Sequence, residues 1–331
     1  IVVNVGFHGA LLDDQEEARR MRAMGVCSFK LYLNDPKPSM NIDDDSVILS
    51  ALSNCASIDV PVTVHAEDRT SIERRLKGFE GKPLGFDGYT NVHSPSVELM
   101  AIKRILELGA SSGAHLHLCH ISSGSSLSTL EEARNRGARI TCEVTPHHLL
   151  LSRKDMEMLG GWALADPPLR DIRDVRDLWK GLPVLDFLII ASDHAPHSLA
   201  EKSSKDVREI RPGIPGLETT APLLLDQVNK GQLPLPRFIE LLAERPAKIF
   251  GLQGRGVLSE GVEADITMLD LKAEHTINPE NFHSKARYSP FAGQKCRGKV
   301  SKVFVGGQIV FDNGEIVVSP GTGRIVEGAS R

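Results

Sequence analysis

Over the first two-thirds of the chain, apolar runs of strand length alternate with amphipathic stretches of helix length, the pattern of a parallel βα succession. This predicts strands over residues 1–6, 26–33, 60–65, 114–120, 138–144 and 187–193, each followed by polar, Gly-rich or Pro-rich sequence. Helical spacing covers 14–24, 44–57, 94–108 and 125–136, with Ser94 as N-cap and Pro95 at the first helical position. After Asp193 comes a long loop, a candidate substrate lid, and then helical stretches over 216–229, 235–243 and 246–251. From about Gly254 the texture changes to short β pieces over 265–269, 300–305, 308–311 and 315–318, with Asn313-Gly314 as a strong hairpin signal. The pattern predicts an α/β barrel over 1–253 followed by a small β-rich domain over 254–331.

Composition narrows the partners. With 39 Lys+Arg against 43 Asp+Glu, the net charge of −4 offers no basic field for nucleic acid or an anionic membrane, so a small-molecule partner is expected. No stretch approaches the ~20 consecutive apolar residues of a membrane span. The five cysteines are scattered and form no CxxC pair, which argues against a disulfide framework and fits a reducing cytoplasm. Residue 1 is an Ile inside an apolar run, with neither Met nor signal pattern before it, so the chain is expected to start within the fold.

In a parallel barrel the loops after the strands share one face, and catalytic groups sit there. The predicted strands end in Lys30, His65, His120, Glu143 and Asp193, with His147-His148 just beyond the fifth. A lone His at a strand end is more often structural. Two on different strands, with an Asp on a third, make a borderline N/O donor set suited to Zn²⁺. His115 and His117 form a rival H-x-H on the opposite face of the same strand from His120. Lys30 lies in a strand expected to be buried, so it must be paired, deprotonated or modified. It is either salt-bridged to a barrel carboxylate or converted by CO₂ to a carbamate able to bridge two metal ions. Asp193 is either a loop cap or a metal ligand that also exchanges a proton with the reacting groups. His197 and Lys202, further out, could hold an anionic substrate group.

The segment from Ala191 to His197, ASDHAPH, followed by Lys202, resembles the signature of dihydroorotases within the amidohydrolase superfamily. Lys30 within FKLYL, His65 within VHAED, His120 within HLCHIS, the EVTPHH, GIPGLET and RPAKIF segments and Ser289-Pro290-Phe291 follow in the family's order. The resemblance implies a (β/α)8 TIM-like barrel, of which strands 3 to 8 are present here, and reversible conversion of N-carbamoyl-L-aspartate to L-dihydroorotate in pyrimidine synthesis. It implies two Zn²⁺ ions bridged by carboxylated Lys30, with His65 and His120 on the second zinc and Asp193 on the first, where it shuttles the proton. His197 and the backbone near Pro215 and Gly216 would bind substrate, and Cys119 with Glu143 resembles an additional metal site of some members. A homodimer is the family expectation, with other pyrimidine-pathway enzymes as further candidate partners.

Two departures qualify the resemblance. The family's first-strand H-x-H-x-R motif, which supplies ligands to the first zinc and an Arg for the substrate carboxylate, is not found, nor is its substrate Asn, and six strands appear where a barrel needs eight. A chain beginning at Ile1 is therefore expected to be poorly soluble and inactive, and the intact protein to be roughly 10 kDa heavier than these residues. The second departure is Asp166, where many relatives carry Asn; its charge would repel an anionic substrate unless protonated or paired, with Arg170 as the candidate partner. Two rival readings stand beside the resemblance: a hydantoinase or allantoinase, whose neutral ring would not need the cations His197 and Lys202, and a non-catalytic scaffold.

Overall fold

A computed structural model describes residues 1–37, 40–204 and 206–328. Six strands, β1 (His8–Ala10), β2 (Ser28–Tyr32), β3 (Val62–His65), β4 (Leu116–Leu118), β5 (Ile140–Val144) and β6 (Leu188–Ile190), form one parallel sheet in sequential order. Sequential parallel order with a crossover between every pair is the arrangement of a βα barrel wall.

The strands alternate in a way that a strictly apolar reading overlooks. Phe29, Leu31, Val62, Val64, Leu116, Leu118, Cys142, Val144, Leu188 and Ile190 pack into one core with helix residues such as Ile48, Leu52, Ile102, Ile105, Leu127 and Leu178. The intervening positions, Ser28, Lys30, Thr63, His65, His117, Thr141 and Glu143, lie on the opposite face, where they bond to one another or to neighbouring polar groups. Each fully buried Leu or Ile contributes about 2 kcal/mol, so the apolar face holds the wall while the polar face is left for chemistry. The helices supplying that core are α1 (Gln15–Ala23), α2 (Asp45–Ser57), α5 (Pro95–Ser112), α6 (Gly124–Asn135) and α9 (Ile172–Gly181). Between them lie α3 (Arg69–Leu76), α4 (Phe86–Val92), α7 (Pro146–Leu150) and α8 (Arg153–Leu159), which together with α9 the sequence pattern does not predict. After β6 follow α10 (Thr220–Asn229), α11 (Leu235–Ile239), one wide π turn over Glu240–Glu244, and α12 (Arg245–Ile249).

One expected strand is displaced. Residues 1–6 are not part of the parallel sheet; Val5 instead makes an isolated bridge to Ile325, and Asn4 donates to Asp265 at 2.7 Å. The first wall strand is His8–Ala10, whose register places Ala10 beside Lys30. The run 1–6 is apolar enough for a strand, but its partner is the C-terminal segment.

The second sheet is antiparallel, in the order β10-β9-β8-β7, with β7 (Ile266–Thr276), β8 (Lys295–Val305), β9 (Gln308–Asp312) and β10 (Glu315–Ile316). Asn313 and Gly314 both have positive φ, 50° and 106°, as the sequence predicts for a tight hairpin turn. β7 and β8 run to 11 residues each, longer than expected, because their extensions carry charged residues interrupted by register shifts at Met268/Leu269 and Asp270/Glu274. The sheet leans on α10, where Asp226 accepts from Arg297 N at 3.2 Å and Asn229 donates to Arg297 O at 2.9 Å. Residues 329–331, the end of the expected 254–331 unit, lie outside the described residues.

Candidate functional site

The polar ends of β2 to β6 converge. Lys30 Nζ lies 2.9 Å from Cys119 Sγ and 4.9 Å from the Tyr32 ring centroid. Burial opposes the ammonium, but Cys119, Glu143 and Tyr32 outweigh it and raise its pKa. Burial also pushes the Cys119 thiol up to about 12, so it is neutral near pH 7 and the full negative charge facing Lys30 is that of Glu143. The expected direct salt bridge is not formed: among the described residues Lys30 meets a thiol, and Glu143 is engaged elsewhere.

His65 ends β3, and His120 stands two residues beyond β4. His65 Nδ1 and His120 Nε2 are 3.0 Å apart. The other ring nitrogen of His65, Nε2, is 2.9 Å from Glu67 Oε2 and 2.8 Å from Asn34 Nδ2. Burial lowers the pKa of His120 far below the ordinary range, so its ring is neutral. His120 reaches this position only because its φ is +37°, a left-handed conformation that breaks strand alternation. The sequence alternative between His117 and His120 thus dissolves. His117 keeps the regular inward direction and bonds Thr141 Oγ1 at 2.8 Å and Glu143 Oε2 at 3.0 Å, while the kinked His120 meets His65. Glu143 also accepts from His120 N at 3.3 Å.

Asp193, beyond β6, repeats the device with φ +44°. Burial, reinforced by Glu143, raises its pKa to about 6. Two left-handed non-glycine residues at two strand ends of one sheet mark stored strain, which concentrates at functional sites.

Glu67 and His93 are the residues that sequence reasoning missed. Glu67 is fully buried and takes His65 on one oxygen and His93 Nδ1, at 3.0 Å, on the other. His93 also lies 3.2 Å from Asp166. Burial opposes a charge on His93, but Glu67 and Asp166 outweigh it and raise its pKa to about 10. Asp166 is therefore paired with His93 and not with Arg170. Arg170 donates to Ser122 Oγ at 2.8 Å and to the His93 carbonyl, and stands 3.6 Å from Glu98. The signal for Glu67 was its place two residues after a strand-end His; nothing local pointed to His93.

Among the described residues, His65, Glu67 and Asp166 offer ligand atoms within 4.8 Å of one another. Of the four expected ligands the structure joins His65 to His120 directly and faces Asp193 and Lys30 toward them electrostatically. Two imidazoles in contact beside buried carboxylates make an N/O donor set that fits a divalent cation. Cys119 and Glu143 do not form one donor group: the first bonds Lys30, the second His117. Of the pair after β5, His148 bonds Thr145 and the Pro167 carbonyl, and His147 Nε2 is buried without a partner.

On the substrate side, Ile214 bridges His194, and a Cβ at Gly216 would meet Ser192 O at 2.5 Å, so Pro215 and Gly216 lie against the end of β6. His197 Nε2 is 3.0 Å from Pro212 O. Lys202 contradicts its expected role: Nζ is buried on the carbonyls of Leu164, Arg211 and Gly213 at 3.2, 2.8 and 2.9 Å and is not presented to a substrate.

Comparison with known proteins agrees with this geometry. The amidohydrolase family profile matches residues 31–310. The chain is 38% identical over 281 residues to a dihydroorotase of Bacillus cytotoxicus, covering 84% of this chain and 64% of that protein. It is 33% identical over 307 residues to an allantoinase of Rubrobacter xylanophilus, covering 91% of this chain and 67% of the relative. It superposes on the L-hydantoinase (dihydropyrimidinase) of Arthrobacter aurescens with a TM-score of 0.94 at 29% identity, over 99% of this chain and 74% of that one. The chain thus spans about two-thirds to three-quarters of the length of these relatives. A parallel wall with its polar residues at the strand ends, and a profile that covers most of it, lead to one conclusion: the chain belongs to the amidohydrolase family and is a relative of its cyclic-amide hydrolases.

Proposed function

We propose that the protein is a zinc-dependent cyclic amidohydrolase that interconverts N-carbamoyl-L-aspartate and L-dihydroorotate, with 1–253 as the catalytic unit and 254–331 as a small β unit. The observation that carries the reading is the pair of ring nitrogens, His65 Nδ1 and His120 Nε2 3.0 Å apart, at the same strand ends as buried Asp193. Under this reading His65, His120, Asp193 and carboxylated Lys30 hold the metal. A bound divalent ion supplies an acidified water and polarises the amide carbonyl.

The chain's own groups do the rest. Glu67, 2.9 Å from His65 Nε2, holds the His65 ring in place at the site. Asp193, with a pKa raised to about 6, is able to accept a proton near neutrality and return it to the departing amide nitrogen. In the synthetic direction the same carboxyl runs the transfer backwards. The backbone at Pro215 and Gly216, pressed against Ser192, forms the wall on which substrate rests, with His197 beside it.

One observation favours a second reading, hydrolysis of a neutral ring as by a hydantoinase or allantoinase. Lys202, the expected partner for a substrate carboxylate, is used up by three carbonyls. The deciding experiment assays the purified, zinc-loaded protein on dihydroorotate, allantoin and a 5-substituted hydantoin, with metal content measured in parallel. Turnover of dihydroorotate at the highest kcat/KM is expected. Preference for either other ring establishes the second reading, and no turnover of any ring by metal-replete protein sinks both.

A further inference from the structure

Lys202 lies twelve residues beyond the end of β6, yet it is among the most buried cations of the described residues, with 2% of its surface exposed. Its three acceptors come from two segments, and the lysine from a third. Leu164 belongs to the stretch leading into Asp166, Arg211 and Gly213 to the stretch leading into Pro215 and Gly216, and Lys202 itself to the stretch after His197. The contacts around it are cross-braced. Gly213 N donates to Leu164 O at 2.8 Å, Ala195 N to Ile214 O at 3.1 Å, and Gly216 N to His194 Nδ1 at 3.1 Å. Tyr288 donates to the same Gly213 carbonyl at 3.0 Å, and the lysine sits 5.5 Å from its ring.

Two glycines show how close the packing is. At Gly161 a Cβ would meet Lys202 O at 2.1 Å. At Gly213, with φ +145°, it would meet Ala195 O at 2.5 Å and His197 Nε2 at 3.0 Å. The backbone of 211–216 is thus pinned between the residues following Asp193 and the lysine cage.

We infer that Lys202 is a positioning residue whose ammonium, caged by the carbonyls of Leu164, Arg211 and Gly213, fixes the 211–216 backbone and His197 against the end of β6 and thereby sets substrate affinity. The inference rests on the cyclic amidohydrolase reading above. An ammonium has three N–H donors and the cage has three acceptors, so only the charged form fills it; a neutral amine has two donors and must release one carbonyl. Burial lowers the pKa of Lys202 to about 7, which brings that release into the working range. The charged groups on the packed segments do not compensate it. Glu201 is bound to Ser198, Glu209 to Ser204, Asp166 faces His93, and Arg211 offers its carbonyl while its side chain is exposed. The Tyr288 phenol, pushed up to about 12 by burial, stays neutral throughout, and His197 faces Pro212 O.

The test compares the full protein with Lys202→Met by steady-state kinetics from pH 6 to 9 and by amide hydrogen exchange over 211–216. Wild type is expected to show KM rising as pH passes about 7, as the ammonium is lost. Lys202→Met is expected to show KM raised roughly tenfold and no longer pH-dependent, kcat within about threefold of wild type, and faster exchange in 211–216. An unchanged KM, a loss confined to kcat, or unaltered exchange overturns the inference. If Lys202→Met does not fold, Tyr288→Phe removes one donor from the Gly213 carbonyl, and the same KM and exchange readouts decide. If wild type turns over no cyclic amide, the functional reading fails, while the exchange comparison still settles whether Lys202 fixes 211–216.

Discussion

At the residue scale the site is built from few side chains, each held by a nameable force. Asp193→Asn keeps the shape of the side chain but cannot accept the proton. It is expected to lower kcat by about 10²–10⁴-fold with a small change in KM, measured by steady-state kinetics on metal-replete protein. Glu67 acts one bond further out, through His65. Glu67→Gln is expected to weaken metal binding by roughly 10–100-fold, read by direct metal titration; unchanged affinity would show that the His65 ring needs no carboxylate to hold it. These residues differ in legibility. Asp193, His65 and Lys30 stand out because charged or imidazole side chains close apolar strands. Glu67 and His93 do not, since their importance comes from each other and from Asp166, 26 to 99 positions apart in the chain.

At the scale of elements, the strand alternation and the helix periodicity give the wall, and the departures from alternation give the site. The left-handed turns at His120 and Asp193 each cost about 1–3 kcal/mol and must be restrained by their surroundings. Behind His120 the restraint is the α5–β4 junction. Glu98 on α5 accepts from the backbone N–H groups of Ser122 and Ser123, each at 3.3 Å, and from both their hydroxyls, and its far side faces Arg170 at 3.6 Å. Glu98→Ala leaves the Arg170 guanidinium buried and unpaired. A loss of about 3 kcal/mol is expected, visible as a lower urea midpoint, and a shift under 1 kcal/mol would mean that solvent reaches Arg170. The sequence places these elements to within a few residues where apolar runs are unbroken. It misplaces the first strand because residues 1–6 have strand composition but a different partner, Ile325. It misses α3, α8 and α9 and shortens β7 and β8 because charged residues mask the period, and it misses α4 and α7 because they are only seven and five residues long.

Across the whole molecule, the parallel wall, the helical layer and the small antiparallel sheet leave a polar interior whose groups come from β1 to β5 and from the turn after β6. A ligand that joins them bridges elements otherwise linked through the wall alone, so binding should register as stability. Removal of the metal by a chelator is expected to lower Tm by roughly 4 °C, the equivalent of about 2.7 kcal/mol for a metal present at a hundred times its Kd, and added zinc should restore it. A melting curve indifferent to chelator and zinc would show that His65 and His120 satisfy each other without an ion.

What the sequence alone determined is what repeats locally: the two-residue alternation of the wall strands, the helix period between most of them, the Asn313-Gly314 turn, and the kind of side chain that ends each strand. Neighbours along a chain dictate these features, so a single sequence carries them. What only the tertiary structure decided is direction and partnership. His117 and His120 both serve the interior because one φ is positive, Asp166 shares His93 with Glu67, and Lys202, rich in donors, spends them on three carbonyls and not on a substrate. A buried polar group must be satisfied by whatever the fold brings within 3 Å, and that neighbour is set by packing between distant segments.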